Sequence, residues 1–205
     1  MGYLLTVLFG YLLGCSNPAY FYAKTRKVDL ADSGAKNLGA SNAALVLGWR
    51  AGILVGIHDI AKAAVAVILA QLVFSDLPYI GVVAGVSSVL GHIFPFYLEF
   101  RGGKGFAAFV GMSVALNWKL AIVLLAVYVL VVFLTDYMVM GTVMLVVSVP
   151  VCIGIVERSW IGAMILLLAT VVILARHGEN YRRMRKGTEL SLRSVFQGKP
   201  KGKGQ

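Results

Sequence analysis

Apolar residues run along this chain in long blocks, and polar residues are largely confined to the short stretches between them. No block shows the period-two alternation of a barrel strand, and several approach the ~20 residues with which a helix crosses a hydrocarbon core. Hydropathy predicts helices over 3–22, 43–73, 79–98, 105–117, 119–135, 138–156 and 160–177. The expected fold is an all-α integral membrane protein with about seven transmembrane helices. Two stretches are irregular. The stretch 43–73 is too long for one crossing, and Trp49-Arg50 near its start points to a short interfacial helix ahead of a span that begins around Ile53. The stretch 105–117 covers only about 20 Å at the helical rise, which suits a helix that tilts little or begins deep. A deep start would lower the preceding loop into the protein. The first block, Tyr3 to Phe21, is long for a signal-peptide core and no A-x-A-like site follows it, so a retained helix is expected.

Composition supports this picture. The chain is 59% hydrophobic and 14% charged, with a mean hydropathy of +0.83, whereas a soluble domain is about a quarter charged. The net charge of +10 is gathered beside the apolar ends. Lys24, Arg26, Lys27 and Lys36 follow the first helix, Arg101 and Lys104 the third, and Arg176, Arg182, Arg183, Arg185 and Lys186 the seventh. Little beyond Lys119 and Arg158 falls on the other side. Seven crossings with the amino terminus outside place every basic loop in the cytoplasm, as the positive-inside rule requires. Such charge suits anionic membrane lipids, not nucleic acid, which needs a basic folded surface with aromatic platforms. Residues 1–192 read as a polytopic membrane domain and 193–205 as a basic, disordered cytoplasmic tail. Cys15 and Cys152 lack CxxC or metal-ligand spacing, so they read as buried thiols, and no metal or other cofactor is expected.

Three polar clusters fall on the same face. Phe100-Arg101-Gly102-Gly103-Lys104-Gly105 combines two cations with glycines whose amides can approach an anion. It is not a nucleotide P-loop, because Gly105 stands where a hydroxyl residue would bind magnesium. A basic turn that only obeys the positive-inside rule is the alternative. Gly34 to Asn42 supplies small residues and two amides, with Ser41 or Asn42 as a candidate helix cap. His177, Glu179 and Asn180 leave the last helix, and a spacing of three puts His177 and Asn180 on one face. Asp59 and Lys62, also three apart, lie inside a span, where charge must pair or line a polar cavity. His58 and His92 read mainly as packing residues, Pro95 as a bend near the end of the third helix, and Thr142 either as a hydroxyl near the site or as one bonded back to its own helix.

In order and spacing these clusters resemble the bacterial acyl-phosphate:glycerol-3-phosphate acyltransferases, over nearly the whole chain. The family's G-H-x-F-P-x-x-x-x-F-[RK]-G-G-K-G is met completely by Gly91 through Gly105. Its G-S-G-N-x-G-A-T-N with a following D-x-x-K is met in part by Gly34–Asn42, Asp59 and Lys62. Its H-R-E-N-x-x-R-x-x-x-G-x-E is met by His177, Glu179, Asn180, Arg183, Gly187 and Glu189. The departures are Ala35 for Ser, Lys36 for Gly, Leu45 for Arg, Gly178 for Arg, and Thr142 for a Ser in the sixth helix. The lost hydroxyl and guanidinium remove charge-assisted hydrogen bonds of ~1.5–3 kcal/mol each. Lys36 restores a positive charge without Arg's bidentate geometry.

The resemblance implies transfer of a fatty acyl group from acyl phosphate to the 1-hydroxyl of glycerol 3-phosphate, giving lysophosphatidic acid at the cytoplasmic face of a bacterial inner membrane. Lys104, His177 and Asn180 are the catalytic candidates. Lys36, Asn37, Gly39, Asn42, Asp59, Lys62, Arg101, Gly102, Gly103, Thr142 and Glu179 are the substrate-binding ones, with the amides of Gly102 and Gly103 expected on phosphate. The partners expected are these substrates and membrane lipids. No histidine precedes an Asp by five residues, so the HxxxxD dyad of other acyltransferases is absent. A divergent lipid-headgroup binder and a small anion transporter are the alternatives, and a transporter would carry polar groups at mid-membrane in both halves.

Overall fold

The computed structural model describes residues 1–193. Its helices are α1 (Gly2–Cys15), α2 (Pro18–Thr25), α3 (Ala40–Leu47), α4 (Trp49–Val73), α5 (Ile80–Ile93), α6 (Phe106–Leu116), α7 (Trp118–Thr135), α8 (Met138–Val156), α9 (Trp160–Arg176) and α10 (Gly178–Arg185). Apart from Arg193, the expected tail lies outside the described residues. Hydropathy located α7, α8 and α9 to within a residue, because lipid leaves these helices apolar on almost every side.

The breaks between helices follow hydrogen-bonding chemistry that hydropathy does not register. The block expected as one helix over 3–22 divides at Ser16, where the Asn17 side chain accepts from Tyr20 N–H at 3.1 Å and caps α2 with Pro18 at its first position. The long second stretch divides at Gly48 (φ 97), ahead of Trp49 and not near Ile53. Pro95 ends its helix instead of bending it. The residue before a proline is pushed out of helical geometry, so α5 stops at Ile93 and a 3₁₀ turn covers Phe96–Leu98. α3 starts at Ala40 with Gly39 as its cap, so neither Ser41 nor Asn42 serves that role.

The span count also differs. Among the described residues five segments are long and apolar enough to cross a membrane, and a sixth is counted if α9 and α10, bent by 44°, form one. The remaining member of the expected seven is α6, only 11 residues long. It can be short because it is enclosed by protein: Ala108, Phe109 and Met112 are 0% exposed, in a core shared with Leu145, Val146, Leu166 and Ile173. Asn117 ends α6 and caps α7, which has 18 residues. At 1.5 Å per residue, α6 therefore begins about 10 Å short of the level that α7 reaches. The loop before α6 is recessed.

α1 lies against α5 through small residues. A Cβ on Gly14 would sit 2.8 Å from the Cα and carbonyl carbon of Ser88, and one on Gly10 would meet the Ala84 carbonyl. Without a hydrophobic driving force inside lipid, such close backbone approach supplies much of the attraction between helices. Gly14→Ala is expected to destabilise the purified protein by ~1–3 kcal/mol, the usual cost of overpacking. A thermal midpoint equal to wild type would show that this contact is dispensable.

Polar contacts identify the two ends of the bundle. At one end the Tyr3 hydroxyl donates to the Pro78 carbonyl and the Asn117 amide to Glu157. At the other meet the α2–α3 loop, the loop before α6, the α7–α8 turn and α10.

Candidate active site

The loop before α6 is built by its glycines. After left-handed Glu99 and Phe100, Gly102 N–H donates to the Ile93 carbonyl and Gly103 N–H to the His92 carbonyl, both at 3.1 Å. These are the amides expected to grip phosphate. They instead fasten the loop to the end of α5, and a Cβ at Gly103 would run into the His92 imidazole. The fold leaves a different donor set beside Lys104. Gly105 (φ 92) starts α6 without a side-chain cap, and the first-turn amides of a helix have no partner within it.

Lys104 leads a chain of polar side chains. Its ammonium donates to Asn180 Oδ1, Asn180 Nδ2 donates to Glu189 Oε1 at 2.5 Å, and Arg183 Nε donates to Glu189 Oε2 at 2.6 Å. The bend between α9 and α10 makes this possible, turning Asn180 back toward the loop. His177 sits at that bend, 6% exposed and within electrostatic reach of Lys104. Its Nδ1 lies 2.8 Å from the Ile173 carbonyl, which can only accept, so Nδ1 carries the proton and Nε2 of the neutral ring is an acceptor. Burial, with the Arg183 guanidinium next in weight, lowers the Lys104 ammonium to about 8, against the opposing Glu189 carboxylate. Lys104, Asn180 and His177 thus share one end of the bundle, as the sequence expects. Arg183 and Glu189 were visible only as motif matches. Their sequence signal is Gly187, whose φ of 66 reverses the chain after α10.

Most residues expected to bind substrate have other partners. Asn42 Nδ2 lies within hydrogen-bond distance of the Leu30, Ser33 and Asn37 carbonyls, at 3.0, 3.0 and 2.7 Å, and its Oδ1 accepts from Ala35 N–H. Asn37 donates to the Ala35 carbonyl and accepts from Gly39 N–H. These amides hold the α2–α3 loop in shape, and Leu38 N–H approaches the Gly102 carbonyl at 3.4 Å to join that loop to the next. Lys36 is exposed, in a left-handed conformation (φ 52). Arg101 turns outward to Asp32 at 3.1 Å, an exposed pair, and Glu179 pairs with Arg182 on its own helix surface. Thr142 donates to the Met138 carbonyl, the back-bonded alternative.

Asp59 and Lys62 form the buried pair that the sequence offered beside substrate contact. They are 1% and 4% exposed, pair at 2.8 Å, and share the cluster with His92, whose Nδ1 lies 3.2 Å from Asp59 and 3.0 Å from Lys62. Lys62 also donates to the Ser16 carbonyl at the break between α1 and α2. A charge buried in a span needs a counter-charge and hydrogen bonds; Lys62 and His92 supply them to Asp59 Oδ1, while Oδ2 is buried without a hydrogen-bond partner. The cluster ties α1, α4 and α5 together. The other side of the His92 ring packs against Gly103, next to Lys104.

The model of the family described as glycerol-3-phosphate acyltransferase matches residues 4–187. The chain belongs to this family. It is 36% identical to the glycerol-3-phosphate acyltransferase of Thermoanaerobacter pseudethanolicus, covering 92% of this chain and 95% of that relative. It is 31% identical to glycerol-3-phosphate acyltransferase 1 of Oceanobacillus iheyensis, covering 96% and 98%. Among solved structures it resembles PlsY (YgiH), an integral membrane glycerol 3-phosphate acyltransferase. The glycerol 3-phosphate form superposes with a TM-score of 0.88 at 27% identity, over 96% of this chain and 98% of that one. The lysophosphatidic acid form gives 0.84 at 28%, over 96% and 100%. Within this glycerol-3-phosphate acyltransferase, three of the five departures from the family pattern, Ala35, Lys36 and Leu45, fall in the α2–α3 loop and α3, while Thr142 lies in α8 and Gly178 in α10. Ala35 keeps the backbone bond to Asn42 without offering a hydroxyl, and Leu45 is 54% exposed.

Proposed function

We propose that this glycerol-3-phosphate acyltransferase takes its acyl group from an acyl phosphate and works at the cytoplasmic face of a bacterial inner membrane. The observation that carries the reading is Lys104, a recessed cation held by Asn180 beside the start of α6, which has no side-chain cap, and within electrostatic reach of His177. Positive charge and helix-start amides together suit a phosphate. Sidedness is supported by charge, since Lys24, Arg26, Lys27, Lys36, Arg101, Arg176 and the α10 arginines lie at the same end as Lys104, with Lys119 and Arg158 at the other.

The substrates follow from the chemistry of this seat. Glycerol 3-phosphate and lysophosphatidic acid are bound in the two similar structures, and both carry a phosphate monoester. In the reaction the 1-hydroxyl oxygen attacks the acyl carbonyl carbon, the bond from that carbon to the donor's phosphate oxygen breaks, and inorganic phosphate leaves with its electron pair. The hydroxyl proton passes to His177 Nε2 or to the departing phosphate. Lys104 and the α6 amides stabilise negative charge on phosphate as the bond breaks.

The test supplies purified protein with glycerol 3-phosphate and, in parallel, acyl phosphate, acyl-CoA or an acyl carrier protein thioester. Lysophosphatidate should form from acyl phosphate alone. Equal product from a thioester would overturn the donor assignment.

A further inference from the structure

Beyond α10 the chain forms a strap pinned at both ends. At Gly187 it reverses, and the amides of Thr188 and Glu189 donate to the Arg183 carbonyl at 2.9 and 3.2 Å. It then reaches the α7–α8 turn, where Leu192 N–H donates to the Asp136 carbonyl and Arg193 N–H to Asp136 Oδ1, each at 2.9 Å. Between the pins lies Glu189, its side chain only 11% exposed.

The two carboxylate oxygens of Glu189 are divided between Asn180 Nδ2 and Arg183 Nε. A carboxylate only accepts, so whatever faces Oε1 must donate. That requirement settles the amide of Asn180: its NH₂ points to Glu189, and its oxygen is left facing the Lys104 ammonium. Without the carboxylate the amide is free to turn over and set two N–H groups against a cation. We propose that Glu189 is a positioning residue for acyl transfer, held by the strap and acting through Asn180 to keep Lys104 at the phosphate seat. The inference rests on Lys104 as the phosphate ligand and adds to it the element that sets its geometry.

Charge gives a readout that a purely structural role would not move. The groups acting on Lys104 are Arg183 and Glu179 on α10, Glu189 on the strap and Arg176 at the end of α9, with His177 at the bend. Arg101, on the same loop, is turned to Asp32. Of these, Glu189 is the foremost carboxylate holding the ammonium protonated. Removing its charge lets Lys104 lose its proton at lower pH, so the alkaline limb of the activity profile should move toward neutrality.

The experiment measures kcat, KM and the pH profile of the full chain with acyl phosphate and glycerol 3-phosphate. Glu189→Gln should lower kcat by tenfold or more and displace the alkaline limb to lower pH. Glu189→Asp retains the charge but loses reach, so its kcat should fall with much less displacement. Asp136→Gly tolerates the positive φ at that position while releasing the side-chain pin of the strap, and should shift both quantities in the Glu189→Gln direction by a smaller amount. Wild-type kcat and limb in Glu189→Gln would overturn the inference. Should that variant fail to fold, a wild-type profile in Asp136→Gly would do so. If wild-type protein itself makes no lysophosphatidate, it is the reading of Lys104 that fails.

Discussion

Lys104→Ala is expected to lower kcat/KM by about 10²–10³-fold, the usual cost of removing one preorganised donor from a transition state that carries developing charge. The recessed position of the ammonium is the reason. It acts where water is reduced and where its hydrogen bond to Asn180 fixes its direction. Lys104→Arg should recover little, because a planar guanidinium cannot occupy the place of a compact ammonium held by one amide oxygen. Wild-type protein should show the same dependence through pH. With Lys104 lowered to about 8, the cation is largely intact at neutral pH and is lost as pH rises through that value. KM for the phosphate substrates should therefore climb between about pH 7 and 9, far below the range in which a solvated lysine titrates. A flat KM across that interval, or Lys104→Ala with near-normal kcat/KM, would remove Lys104 from the chemistry.

The largest effect on stability should come from Lys62→Met. Asp59 would then be a carboxylate buried in a span without its nearest cation, and breaking a buried pair from one side costs about 3–5 kcal/mol. The Ser16 carbonyl would lose its donor at the same time. The double variant Lys62→Met/Asp59→Leu should recover a large part of the loss, because replacing both charges with apolar groups leaves no charge stranded. Thermal unfolding of the three proteins in one detergent would decide the matter. If the double variant is no more stable than the single one and KM rises with either, the pair contacts substrate after all.

Much of the fold could be read from hydropathy, for a physical reason: helices that face lipid must be apolar around most of their surface. The ends of α7, α8 and α9 emerge directly. What hydropathy could not reveal was where a long apolar block breaks. Those points are set by one side-chain oxygen at Asn17, one left-handed glycine at Gly48 and the backbone clash before Pro95. The site shows a related limit. Motif spacing placed Lys104, His177 and Asn180 together, since an even number of crossings separates the start of α6 from the end of α9 and brings both to one end of the bundle. It could not separate an amide that holds a ligand from one that holds a loop, because Asn42 and Asn180 offer identical groups. Nor could it tell that the Gly102 and Gly103 amides are already bonded to α5, or that His92 and the Ser16 carbonyl join the Asp59–Lys62 pair.

The shortness of α6 carries a kinetic consequence. With Lys104 some 10 Å below the level reached by α7, a single-tailed amphiphile can present its head to the ammonium while its hydrocarbon remains among the lipids. Its supply then depends on lateral diffusion in two dimensions. Diluting the acyl donor with inert detergent or lipid should slow turnover even when its amount per volume is held constant, as surface-dilution kinetics require.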